Sequence, residues 1–143
     1  MAAPQVTSTA PSHIHWPGRR NRVLKYVLLE HTKAEQPPHF DILLDTGVDK
    51  PQARNLWALE CEVNPIGLDK FDVSLHGMHR DRYLTYQGDV GHGRGFVRRL
   101  GEGEYTASSR DRRFTVKVLS GCMKGDYVVF VSGRARHTWS AAE

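Results

Sequence analysis

The stretch His39-Phe40-Asp41-Ile42-Leu43-Leu44-Asp45 has the length and composition of a β-strand, preceded by Pro37-Pro38 and followed by Thr46-Gly47. Alternation along such a strand sets Phe40, Ile42 and Leu44 on one face and His39, Asp41 and Leu43 on the other. The first face is wholly apolar and is the one expected to pack. An imidazole and a carboxylate are left together on the second, lining solvent or a polar cavity. Working outward, similar short apolar runs recur at 23–30, 56–63, 71–75, 82–86, 95–100, 114–119 and 127–131, several of them rich in Val, Phe and Tyr. Gly, Pro, Asn and Asp fill the gaps between them. About eight strands at near-regular spacing predict an all-β fold, a small closed barrel with little helix. Only 49–55 has the look of a helical turn. Asp45-Thr46-Gly47, Gly101-Glu102-Gly103 and Lys124-Gly125-Asp126 read as hairpin connections.

A chain of 143 residues, 39% hydrophobic and 25% charged, fits one domain with a single core. Residues 1–21 are dominated by Ala, Pro, Ser and Thr and read as a flexible tail. The expected barrel domain covers 22–133, and 134–143 is expected to be a C-terminal tail. No apolar run approaches the roughly 20 residues needed to span a bilayer, and the first residues lack a signal-peptide core. A cytoplasmic protein with no membrane partner is expected. The two cysteines, Cys61 and Cys122, each fall in an apolar run and are expected to be buried free thiols.

Charge is uneven along the chain. Lys and Arg number 20 against 16 Asp and Glu, a net +4. Between Gly93 and Lys117 lie Arg94, Arg98, Arg99, Arg110, Arg112 and Arg113, facing only Glu102, Glu104 and Asp111. A basic face able to meet a polyanion is compatible with this distribution.

Three polar side chains stand out as candidate metal ligands. His31 ends the run before the quoted strand, across a short loop, so His31, His39 and Asp41 can converge from adjacent strands. Two imidazoles and a carboxylate make a compact ligand set for a divalent transition ion. Further on, His79 and Tyr83 precede Tyr86-Gln87-Gly88 and the glycines Gly91, Gly93 and Gly95, a loop able to offer backbone N–H groups to an anion.

In this order the motifs resemble the 3′-phosphoesterase domain found at the N-terminus of many bacterial end-joining DNA ligases of the ligase D type, and also as a free-standing protein. That family shows a His, then His-Tyr-Asp-x-Arg, a Ser-Trp-Ala strand, Asp-His-Pro with Tyr four residues after the His, and Phe-Glu-Gly before a glycine-rich loop. The matching residues are His31, His39-Phe40-Asp41, Leu56-Trp57-Ala58, His79 with Tyr83, and Tyr86-Gln87-Gly88; the likeness runs over about 22–131. It implies a β-barrel whose cavity holds one divalent ion, Mn²⁺ first and Zn²⁺ or another transition metal as alternatives, on His31, His39 and Asp41. By the same resemblance His79 and Tyr83 are the catalytic residues. The implied substrate is a 3′-phosphate or 3′-ribonucleotide on a DNA or RNA–DNA primer. An end-joining ligase or polymerase is the implied protein partner, and a nucleoid-associated location follows.

Departures from the family pattern bear on activity. The arginine expected two residues beyond Asp41 is Leu43, and Glu60-Cys61-Glu62 replaces a Lys-Gly segment, which makes the pocket less cationic. Arg80, Arg82 and Arg94 are the candidate substitutes for phosphate or nucleic-acid contact. Two further classes fit the same residues: a barrel that binds nucleic acid or protein without catalysis, and a non-haem iron oxygenase using His39-x-Asp41 with His79 or His92.

Overall fold

The computed structural model describes residues 21–47, 54–110, 113–123 and 125–142, with the main chain alone for 54–55, 78–82, 109–110 and 113. The strands are β1 (Leu24–Thr32), β2 (His39–Asp45), β3 (Arg54–Cys61), β4 (Lys70–Arg80), β5 (Gly88–Asp89), β6 (Phe96–Arg110), β7 (Arg113–Val118), β8 (Gly125–Gly133) and β9 (Arg136–Ala141). They form one antiparallel sheet in the order β1-β2-β3-β4-β9-β8-β7-β6, and a β1–β6 pairing closes it into an eight-stranded barrel, with β5 an extra strand on β6. The all-β barrel expected from the sequence is therefore the fold. Among the described residues no helix is long and apolar enough to cross a membrane.

Registers explain which side chains meet. Leu28, Ile42 and Leu59 face one another across β1, β2 and β3 and point inward, whereas Val27, Leu43 and Ala58 sit opposite one another on the outer surface. The interior also takes Tyr26, Leu44, Trp57, Phe71, Tyr105, Phe114, Tyr127 and Trp139, so the lumen is packed solid with side chains, as the width of an eight-stranded barrel allows. Cys61 lies in that core and Cys122 is half-buried at its edge; both thiols are free.

Outside the barrel a second apolar layer forms. Val27, Leu29, Leu43, Leu56, Ala58 and Val97 are buried there under Tyr83, Leu84, Tyr86 and Val90. The covering segment was expected to be a strand at 82–86. It is instead a 3₁₀ helix, Asp81–Leu84, followed by a loop, because its tyrosines and leucine lie over a sheet face and do not extend an edge.

Other expectations also change. Gly101-Glu102-Gly103 is no hairpin but the middle of the 15-residue strand β6. A side chain at Gly103 would collide with the main chain of Ser120 and the ring of Tyr26. The Tyr26 hydroxyl donates to the Ser120 carbonyl at 2.9 Å and accepts from the Met123 amide at 3.0 Å, pinning the loop that crosses these glycines. Burial raises the Tyr26 phenol to about 12, so this hydroxyl keeps its proton. Residues 136–141, expected to be tail, form β9, which pairs with β4 and β8 and buries His137 and Trp139. At Asp45-Thr46-Gly47 strand β2 ends and the Asp45 carboxylate accepts from the Gly47 amide at 2.9 Å; residues 48–53 of the connection to β3 lie outside the described residues. Gly125 and Asp126 begin β8, while Lys124 lies outside the described residues, as do residues 1–20 of the expected tail and most of the expected turn at 49–55.

Candidate metal centre

His31 and His39 are the register pair next to the loop that joins β1 to β2, and Asp41 follows two residues along β2 on the same outer face. The His31 Nδ1 lies 3.1 Å from the His39 Nε2, with ring centroids 4.6 Å apart. Asp41 presents one oxygen 3.7 Å from the His39 Nε2 and the other 3.9 Å from the His31 Nδ1. All three donor atoms fall within 4.8 Å of one another, the only such grouping of His, Cys, Asp or Glu among the described residues. The centre thus sits on the outer surface of the sheet, beside the second apolar layer, while the resemblance implied a cavity in the barrel; the packed interior leaves no room there.

A backbone contact fixes how His31 is presented. Its Nε2 donates to the Arg94 carbonyl at 2.6 Å. A carbonyl has no proton to give, so Nε2 carries the ring proton, and in the neutral imidazole the Nδ1 lone pair points at His39 and Asp41. This is the orienting contact that a metal-bound histidine ordinarily makes with its second nitrogen. Gly95 makes the approach of the loop to His31 feasible: with φ +99 it adopts a conformation that L side chains avoid, and a Cβ there would strike the Thr32 carbonyl and crowd the His31 Nε2.

The electrostatics of the cluster favour a cation. Burial, reinforced by the negative charge of Glu60, pushes the Asp41 carboxyl up to about 7. Burial also holds the His39 imidazole below the usual histidine range, with Glu60 opposing that effect. A neutral imidazole has a free lone pair, and a carboxylate that is costly to ionise alone is relieved by a bound cation. The donor set fits a divalent transition ion.

Glu60, which the sequence reading gives only as making the pocket less cationic, and His76, which it does not single out, adjoin the site. Glu60 is the register partner of Asp41 across β2–β3, and its Oε1 lies 3.7 Å from the His39 Nε2. On its other side the His76 Nε2 is 3.3 Å from the same oxygen. The Asp41–Glu60 adjacency is implicit in strand pairing once a register is known. A groove of about 560 Å³ opens here, lined by Pro37, Pro38, His39, Glu60, Phe71 and Arg136 among others.

The other expected site residues lie elsewhere. The main chain of His79 pairs with Leu56, about 13 Å along the sheet from the level of Glu60, and its side chain is outside the described residues. The side chains of Arg80 and Arg82 are outside them as well. Tyr83 packs on the second apolar layer with its ring 5.9 Å from that of Tyr86. The Arg94 guanidinium folds back on its own loop, donating to the carbonyls of Val90 and Gly91 at 3.1 and 3.2 Å. His92 is exposed on that loop and does not join the three-residue grouping. Leu43 shares the face of His39 and Asp41 but is fully buried, so its position faces hydrocarbon and not a ligand.

Neither a scan against protein-family models nor a search of curated proteins returns a match for this chain.

Proposed function

We propose that this chain is a metal-dependent protein of the 3′-phosphoesterase type. It engages the 3′ ends of DNA or RNA–DNA primer strands through one divalent ion, Mn²⁺ or another transition metal, on His31, His39 and Asp41. The observation that carries this reading is the convergence of those donors, with the His31 Nδ1 turned inward by the Arg94 carbonyl. The ordered motifs and the β-barrel expected with them lend support. When bound, the ion supplies charge neutralisation at a phosphate oxygen and acidifies a water. His31 is held in one orientation by the loop, and Asp41 gives up its proton on loading. Lys33, whose charge acts on His39, stands as a cation beside the centre for the anionic end of the strand. Action on such ends places the protein in the cytoplasm or on the nucleoid, alongside an end-joining ligase or polymerase.

Two observations favour a second reading, a metal-holding barrel that binds nucleic-acid ends without cleaving them. Leu43 is buried where the family arginine is expected, and the Arg94 guanidinium is tied to its own loop. A permanently charged, bidentate phosphate clamp is therefore missing at both positions.

The test is removal of a 3′-phosphate or 3′-ribonucleoside from a primer–template with added Mn²⁺, comparing wild type with His39→Ala and Asp41→Ala. Turnover in wild type alone supports the enzyme. Metal-dependent binding of the primer without turnover selects the second reading. Wild type indistinguishable from both variants in cleavage and binding overturns both.

A further inference from the structure

We propose that Glu60 is a fourth protein ligand of the same ion, and that His76 is the residue that positions it. This rests on the metal reading above and extends it from a two-histidine, one-carboxylate set to one with two carboxylates.

Three adjacent strands bring the donors into line. Asp41 on β2 faces Glu60 on β3, and Glu60 faces Ser74 on β4. The Glu60 Oε1 is 3.7 Å from the His39 Nε2, the same distance at which Asp41 approaches that nitrogen. Ligands bound about 2.1 Å from one ion stand roughly 3 to 4 Å apart, so Glu60 stands toward His39 as Asp41 does; it falls outside the 4.8 Å grouping of the other three donors and joins them by a change of its side-chain rotamer.

On the far side of Glu60 the β3–β4 ladder slips. Ala58 pairs with Gly77 and Leu59 with Leu75, which leaves His76 as the extra residue of a bulge next to Gly77 at φ +94. Bulges redirect a side chain out of the regular alternation. Here the result is the His76 Nε2 at 3.3 Å from the Glu60 Oε1. A carboxylate oxygen has two lone pairs, so Oε1 can accept from His76 and still turn the other pair toward an ion beside His39. Second contacts of this kind orient ligands and change metal affinity about 10- to 100-fold. Two carboxylates also offset the charge of a divalent ion. The loaded centre then draws less strongly on a phosphate than the three-ligand set would.

The experiment is a calorimetric titration with Mn²⁺ alone on wild type, Glu60→Gln, His76→Ala and Asp41→Asn, each first shown to be folded by its chelator-treated melting curve. Glu60→Gln is expected to weaken Mn²⁺ binding at least about tenfold and His76→Ala by a smaller factor. Water-proton relaxation of the Mn²⁺-loaded protein reads the number of bound waters, which rises by one in Glu60→Gln, a change that a merely structural role would not produce. Inorganic phosphate is expected to bind the Mn²⁺-loaded Glu60→Gln protein more tightly than wild type. Wild type that binds Mn²⁺ with Glu60→Gln unchanged in affinity and water count overturns this inference alone. Wild type that binds no Mn²⁺ overturns the metal reading and this inference with it.

Discussion

Replacing Asp41 by Asn separates the ligand role of this carboxylate from its burden on the fold. The rise of Asp41 from 3.8 to about 7 means that the folded chain holds a proton which the unfolded chain has released across that window. Stability from this residue is therefore greatest at acid pH and is lost as pH rises through about 7. At roughly 1.4 kcal/mol per pH unit, the ceiling on the loss is about 4 kcal/mol. Asp41 is 15% exposed, so little of this is screened, but a buried amide retains a polar cost of its own of about 1–3 kcal/mol. The net expectation for metal-free Asp41→Asn at pH 8 is a gain of about 1–3 kcal/mol over wild type, shrinking toward pH 4. For a chain of this size that is a rise of roughly 3 °C per kcal/mol.

His39, shifted the other way, gives an opposing pH slope; because it lies 3.7 Å from Asp41, the same comparison repeated in a His39→Gln background isolates Asp41. Thermal melts with chelator at several pH values supply the measurement. Adding Mn²⁺ should reverse the order: an ion at about 1,000 times its Kd adds roughly 4.1 kcal/mol to wild type and nothing to the variant. An Asn variant no more stable than wild type at pH 8, or equally advantaged at every pH, would refute the reasoning.

Three further outcomes follow from single residues. Leu43→Arg places a charge in the outer apolar layer among Val27, Leu29, Leu56 and Ala58, so urea denaturation should show a loss of about 3–5 kcal/mol and end-processing assays no gain in turnover. Gly95→Ala forces a strained φ and crowds the Thr32 carbonyl and the His31 Nε2; metal affinity should fall at least about tenfold by calorimetry while the far-ultraviolet spectrum stays that of the barrel. His137 is buried in the barrel with its pKa lowered by desolvation, so the folded state disfavours its protonation and stability falls as pH drops below about 6.5. His137→Leu should lose less stability than wild type between pH 7 and pH 5, and equal losses in melting curves would contradict the assignment.

The alternation Phe40, Ile42, Leu44 against His39, Asp41, Leu43 was legible because it is local, and it placed the imidazole and carboxylate on one face correctly. What alternation cannot reveal is whether the opposite face is also covered. Leu43 is apolar because a second layer buries it, and Tyr83, Leu84 and Tyr86 resemble a strand in composition because they cover a sheet. Gly101 and Gly103 carry the signature of a turn, yet they are small because a loop held by Tyr26 crosses them. The last strand went unread since the half-buried Thr138 and Ser140 alternate with the buried His137 and Trp139, leaving a short, half-polar pattern. In the site, Glu60 and His76 depend on strand register and a bulge, both set by pairing between distant segments.

The most direct test of the account is the stoichiometry of Mn²⁺ binding to the metal-stripped chain, followed by electron paramagnetic resonance of the free ion. One ion per chain is expected for wild type and none at the same concentrations for His31→Ala, His39→Ala or Asp41→Ala. Absence of binding to wild type, or binding that survives all three substitutions, would contradict it.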